Sequence, residues 1–123
     1  MARGDGYSMA DLVSLTGASR RHLQLMVQNG AIRPLALEHG TGVHRRFSQA
    51  EAAIAMALAN ANYSGAMVAK IADAVRPIAE MGHIGTVTVV DRLPDGFDAV
   101  AGRSFELLDT GRPHIFFNLR EAA

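Results

Sequence analysis

The sequence predicts an α+β fold in which four short helices with a β-hairpin among them precede a small antiparallel β segment. Three observations carry this expectation. Two helix-like stretches near the start are separated by Thr16-Gly17-Ala18, where the glycine can take positive φ. A glycine turn, Gly40-Thr41-Gly42, sits between two short extended runs. Thr86-Val87-Thr88-Val89-Val90 is dense in β-branched residues, which favour a pleated strand.

In chain order, Ser8 precedes Asp11 and the apolar run Leu12-Val13-Ser14-Leu15, the pattern of a capped helix with an acid in its first turn. Ser19 caps a second helix through about Asn29, in which Leu23, Met26 and Val27 make a buried stripe. Gly30 stands where a C′ glycine stops it. Two short helices joined through a glycine turn outline a helix-turn-helix, and the segment Leu35 to Phe47 supplies a hairpin wing. Ser48-Gln49-Ala50-Glu51 reads as a capping box opening an alanine-rich third helix to about Asn60. A fourth helix starts at Ser64 or Gly65 and is expected to end at Val75 or Arg76, because Pro77 disfavours helical geometry before it. Beyond a short linker near 77–83, strands are expected around Thr86–Val90, Phe97–Val100, Ser104–Leu108 and His114–Leu119, with a turn at Leu93-Pro94-Asp95-Gly96. The expected division is a winged helix-turn-helix domain over 1–76 and a linker plus β-rich segment over 77–123.

Composition bounds the function. The chain has 123 residues, 49% of them hydrophobic, enough for a real core and too apolar for a disordered tail. With no cysteine, disulfides, thiolate metal sites and a cysteine nucleophile are excluded. No stretch is long enough to span a membrane and the N-terminus lacks the apolar run of a signal peptide, so a soluble, cytoplasmic protein is expected. Formal net charge is zero, yet residues 1–50 hold six arginines (Arg3, Arg20, Arg21, Arg33, Arg45 and Arg46) against Asp5, Asp11 and Glu38. The basic excess therefore lies in the helix-turn-helix half.

Residues 7–76 resemble the DNA-binding domain of the MerR family of winged-helix regulators. Tyr7-Ser8-Met9-Ala10-Asp11-Leu12 is similar to that family's opening, and Thr16-Gly17-Ala18-Ser19 to its turn. Gly30-Ala31-Ile32-Arg33-Pro34 is similar to the exit from its second helix, and Arg45-Arg46-Phe47-Ser48 to the end of its wing. Tyr63-Ser64-Gly65-Ala66 falls near the loop before its fourth helix. The family's Leu-Arg-Tyr-Tyr-Glu stands here as Leu23-Gln24-Leu25-Met26-Val27, and strand-like sequence replaces its long dimerising helix. The resemblance implies the fold and a docking surface for double-stranded DNA.

On that reading Ser19, Arg20, Arg21, Gln24 and Gln28 present a recognition helix to the major groove, where arginine bonds guanine and glutamine reads adenine. His44, Arg45 and Arg46 follow the wing turn and are expected on phosphates. A solvated polar helix face and a charged edge strand are the plain alternatives. His22, His39, His44, His83 and His114 lack metal-ligand spacing, so no metal or other cofactor is assigned. Asp109-Thr110-Gly111 matches an aspartic-protease triplet but is followed by Arg112-Pro113, and an ordinary turn explains it better. Met56, Met67 and Met81 are read as core filler.

The leading expectation is a DNA-binding transcriptional regulator rather than an enzyme, dimeric through its C-terminal segment. Phe97, Phe105, Ile115, Phe116 and Phe117 concentrate apolar area there, which must face the helices, a second copy or another protein. The alternatives are a MerR-like protein-interaction module of the co-chaperone modulator type, which binds a protein partner instead of DNA, and a phage packaging or excision factor.

Overall fold

A computed structural model describes residues 6–35, 46–59, 65–92, 96–102 and 113–121. The elements follow as β1 (Tyr7–Ser8), α1 (Met9–Thr16), α2 (Arg20–Gln28), β2 (Arg46–Phe47), α3 (Gln49–Leu58), α4 (Gly65–Glu80), β3 (Gly85–Asp91), β4 (Phe97–Ala101) and β5 (His114–Leu119). The fold is α+β, with four helices and two small antiparallel sheets among the described residues.

Local chemistry sets the helix starts. Ser8 caps α1 in a full capping box: its hydroxyl accepts from the Asp11 backbone N–H at 3.1 Å, and the Asp11 carboxylate accepts from the Ser8 N–H at 2.9 Å. At α3 only half of the expected box forms. The Ser48 hydroxyl accepts from the Glu51 N–H at 3.2 Å, but the Glu51 carboxylate turns inward to Arg76 and to the Arg33 backbone N–H. A buried guanidinium is the stronger partner for that carboxylate, so tertiary pairing displaces the local bond.

The fourth helix departs from the sequence expectation. It runs through Pro77 to Glu80 instead of ending at Arg76. A proline inside a helix leaves the carbonyl four residues back without its donor and costs about 3 kcal/mol. Here Ala79 is buried and Ile78 packs partly buried against the core, so burial of the last turn offsets the proline. The helix then stops at Gly82, which sits at φ 85° with its N–H on the Ala79 carbonyl at 3.0 Å, while the His83 N–H reaches the Ile78 carbonyl at 3.4 Å. The linker expected from residue 77 thus begins only after this turn. Met81, read from sequence as core filler, lies past the end of α4 and is 84% exposed, whereas Met56 packs against the core.

Of the wing hairpin, Gly40-Thr41-Gly42 lies outside the described residues. Its two ends meet, with the Leu35 N–H donating to the Arg46 carbonyl at 2.7 Å. β2 pairs with β1 in the register Tyr7↔Phe47 and Ser8↔Arg46, a two-residue ribbon the sequence pattern did not signal.

The larger sheet has the order β4-β3-β5, antiparallel throughout. Val87 stands opposite Phe117, and Val89 opposite Ile115 and Ala99, so these side chains share one face. That face packs on the helices, α4 against β4 and α3 against β5. Val87, Val89, Phe117 and Leu119 belong to the same buried cluster as Leu12, Leu23, Ile32, Phe47, Ile54 and Ile71. Much of the C-terminal apolar area therefore faces the helices, although Phe116, on the opposite face, is 40% exposed. The expected strand at Ser104–Leu108, and Phe105 within it, lie outside the described residues.

Candidate nucleic-acid interface

The turn between α1 and α2 is built by three short interactions. The Thr16 hydroxyl donates to the Leu12 carbonyl at 2.7 Å and accepts the Ala18 N–H at 3.0 Å. The Gly17 N–H donates to the Val13 carbonyl at 2.9 Å, and its φ of 73° then turns the chain out of the α1 path. Ser19 caps α2 by accepting the His22 N–H at 3.1 Å, so its hydroxyl oxygen is engaged in holding the helix start.

The far end of α2 closes in a Schellman motif. Gly30, at φ 80°, donates to the Val27 carbonyl at 3.1 Å, and Ala31 donates to the Met26 carbonyl at 2.9 Å. The segment leaving this motif is clamped from below. Arg76 donates through Nη2 to the Ala31 carbonyl at 3.0 Å and to Glu51 Oε1 at 3.1 Å, and through Nε to Glu51 Oε2 at 2.8 Å. Glu51 Oε1 also accepts the Arg33 N–H at 2.6 Å. Asp73 completes the network, accepting from Arg76 Nη1 at 2.6 Å and from Arg33 Nη2 at 2.9 Å. Burial alone would lower the Arg76 pKa, but the hydrogen bonds and charges of Glu51 and then Asp73 outweigh it and hold the guanidinium above its ordinary range.

With both ends fixed, α2 turns Leu23 and Met26 into the core and leaves Arg20, Arg21, His22, Gln24, Leu25 and Gln28 exposed. Arg21, Gln24, Leu25 and Gln28 follow the i, i+3, i+4, i+7 spacing of one helix face, opposite the buried pair, with Arg20 at its edge. The helix carries no acidic side chain. Four of the five α2-region candidates, Arg20, Arg21, Gln24 and Gln28, thus share an outward surface, and Ser19 serves as its cap.

Of the wing candidates, His44 and Arg45 lie outside the described residues. Arg46 is half-buried in β2, with its backbone tied to Leu35 and its position opposite Ser8. Sequence reasoning missed Leu25, the Glu51–Arg76 pair and the Arg33–Asp73 contact. Arg76 carried a usable signal, since it interrupts the apolar stripe of Val68, Ile71, Ala72, Val75 and Ala79 on α4.

Among the described residues no group of three histidine or carboxylate side chains could hold a metal ion, and no helix is long and apolar enough to cross a membrane. His83 instead contacts the Thr86 carbonyl through Nε2 at 3.0 Å. Asp109 lies outside the described residues. No protein-family model matches the chain, and no curated protein is similar to it at a significant level.

Proposed function

We propose that the protein is a DNA-binding transcriptional regulator of the winged helix-turn-helix type, similar in plan to the MerR family. In this reading α2 lies in the major groove and the segment between Leu35 and Phe47 forms a wing whose His44, Arg45 and Arg46 rest on phosphates. The observation that carries it is the outward face of α2: an acid-free helix, held at both ends, presents arginine and glutamine side chains away from the core. These are the groups whose donors and acceptors match the edges of guanine and adenine. The proposal extends to a homodimer through the C-terminal segment, since modules of this size gain affinity from two half-sites.

The test is binding of the full chain to mixed-sequence duplex DNA as salt is raised. Phosphate contacts predict a log–log slope of about −0.9 for each contact. Absence of binding at low salt would refute the proposal and turn attention to a protein partner. Sedimentation equilibrium reads the dimer separately.

A further inference from the structure

The outward face of α2 contains one side chain that a purely polar surface does not need. Leu25 is 45% exposed, midway along the stripe that runs from Arg21 to Gln28. The core has no use for it: Leu23, at 0%, and Met26, at 4% exposed, already close the inner face, and Val27 packs beside them. Leu25 is flanked on its own face by Gln24 and Gln28, one residue before it and three after.

Major-groove chemistry gives that arrangement a meaning. A glutamine carboxamide matches adenine through N6 and N7, an apolar side chain matches the thymine C5-methyl group, and arginine matches guanine through O6 and N7. Gln24, Leu25 and Gln28 therefore all favour A·T pairs, and Arg21, at the N-terminal end, favours G·C. The stripe rises about 10 Å along the helix, the length of roughly three base-pair steps. We propose that α2 reads a short element with a G·C pair at one end and A·T pairs along the rest, and that Leu25 is the specificity residue that contacts thymine methyl groups. This inference rests on the DNA-binding reading above.

Selection of duplexes from a randomised pool with the full chain should enrich G beside an A·T run. The enriched duplex is then compared with a copy in which deoxyuridine, which lacks the C5-methyl group, replaces each thymine in turn. Wild-type affinity should fall about fourfold at each contacted position, the factor expected for one buried methyl group. Leu25→Ala should bind the thymine and deoxyuridine duplexes equally and melt at the wild-type temperature. Enrichment of G·C-only elements would overturn the inference while leaving DNA binding intact. So would a wild-type indifference to deoxyuridine, or a methyl effect that Leu25→Ala retains. Failure to bind any duplex at low salt would instead remove the DNA-binding reading, and this inference with it.

Discussion

Arg76 and Glu51 meet as a two-pronged pair inside the protein, Nε to Oε2 at 2.8 Å and Nη2 to Oε1 at 3.1 Å, with side chains only 10% and 7% exposed. The pair joins α4 to α3, and through the Ala31 carbonyl and the Arg33 N–H it also fixes the chain leaving α2. Removing Glu51 leaves the Arg76 charge in a poorly solvated place, with its Nε unpaired and the half-exposed Asp73 as its remaining carboxylate partner. Glu51→Ala is therefore expected to destabilise the fold by about 3–5 kcal/mol, measured by urea unfolding. Asp73→Ala, at a side chain 53% exposed, should cost less than about 1 kcal/mol. Replacing both buried members, Glu51→Leu with Arg76→Met, should recover part of the loss, limited by the backbone groups of Ala31 and Arg33 left without partners. Equal costs for Glu51→Ala and Asp73→Ala would show that burial does not set the strength of the network. Arg76 itself adds no pH dependence near neutrality. A raised cation pKa gives stability that is complete below the unfolded value and is lost only as pH climbs through the folded one.

What the sequence made legible was chemistry that acts within a few residues. Ser8 and Ser19 announce helix starts because a hydroxyl beside an apolar run has a fixed task there, and Gly30 announces a stop because the Schellman geometry asks for positive φ. Glu51 and Pro77 were misread for the opposite reason. Their local meanings, a capping partner and a helix stop, were overridden by Arg76, which is distant in the chain from Glu51, and by the packing of Ala79, just after Pro77, against a core contributed by distant elements. The exposed face of α2 was half legible: its polar members follow from spacing, but spacing alone assigns Leu25 no role, and only the burial of Leu23 and Met26 shows that the inner face is filled without it.

Two glycines with positive φ should respond differently to alanine. Gly6 is buried at φ 90°, and a Cβ there would lie 2.6 Å from the Phe47 carbonyl oxygen, so the β1–β2 ribbon would have to shift. Gly17 at φ 73° has open space around the same position, so only the left-handed backbone penalty of about 1–2 kcal/mol applies. Gly6→Ala is expected to lower the melting temperature clearly more than Gly17→Ala. The reverse order would mean that the α1–α2 turn, and not the ribbon, is the tighter constraint.

The proposed interface separates two kinds of arginine. Arg45→Ala with Arg46→Ala should weaken binding to all duplexes alike and reduce its salt dependence, because phosphate contacts carry little sequence information. Arg20→Ala or Arg21→Ala should relax preference at particular base pairs, at about 1–3 kcal/mol for a lost bidentate contact. Titrations of each variant against operator-like duplexes at several salt concentrations distinguish the two patterns. An unchanged salt slope in the double variant would remove the wing from the interface. A uniform loss in the Arg21 variant would place that residue on the backbone.

The C-terminal sheet is expected to be part of the helical domain's own core. Val87 and Val89 are fully buried, Leu119 is 1% and Phe117 7% exposed, and all four belong to the same cluster as Leu12, Ile54 and Ile71. A chain ending at Arg76 loses this covering layer together with the last turn of α4, so it should show no cooperative thermal transition by circular dichroism. A second chain ending at Gly82 keeps the whole helix and its glycine stop, and so isolates the contribution of the sheet. It too should fail to melt cooperatively. Within the full chain, Leu119→Ala should destabilise by about 2–5 kcal/mol, the usual cost of truncating a buried leucine. Because the cluster is continuous, that loss should shift the helical and sheet signals by the same amount. If the Gly82 chain instead melts sharply near the full-length temperature, residues before the sheet fold alone, and the division into two units holds with its boundary moved past α4.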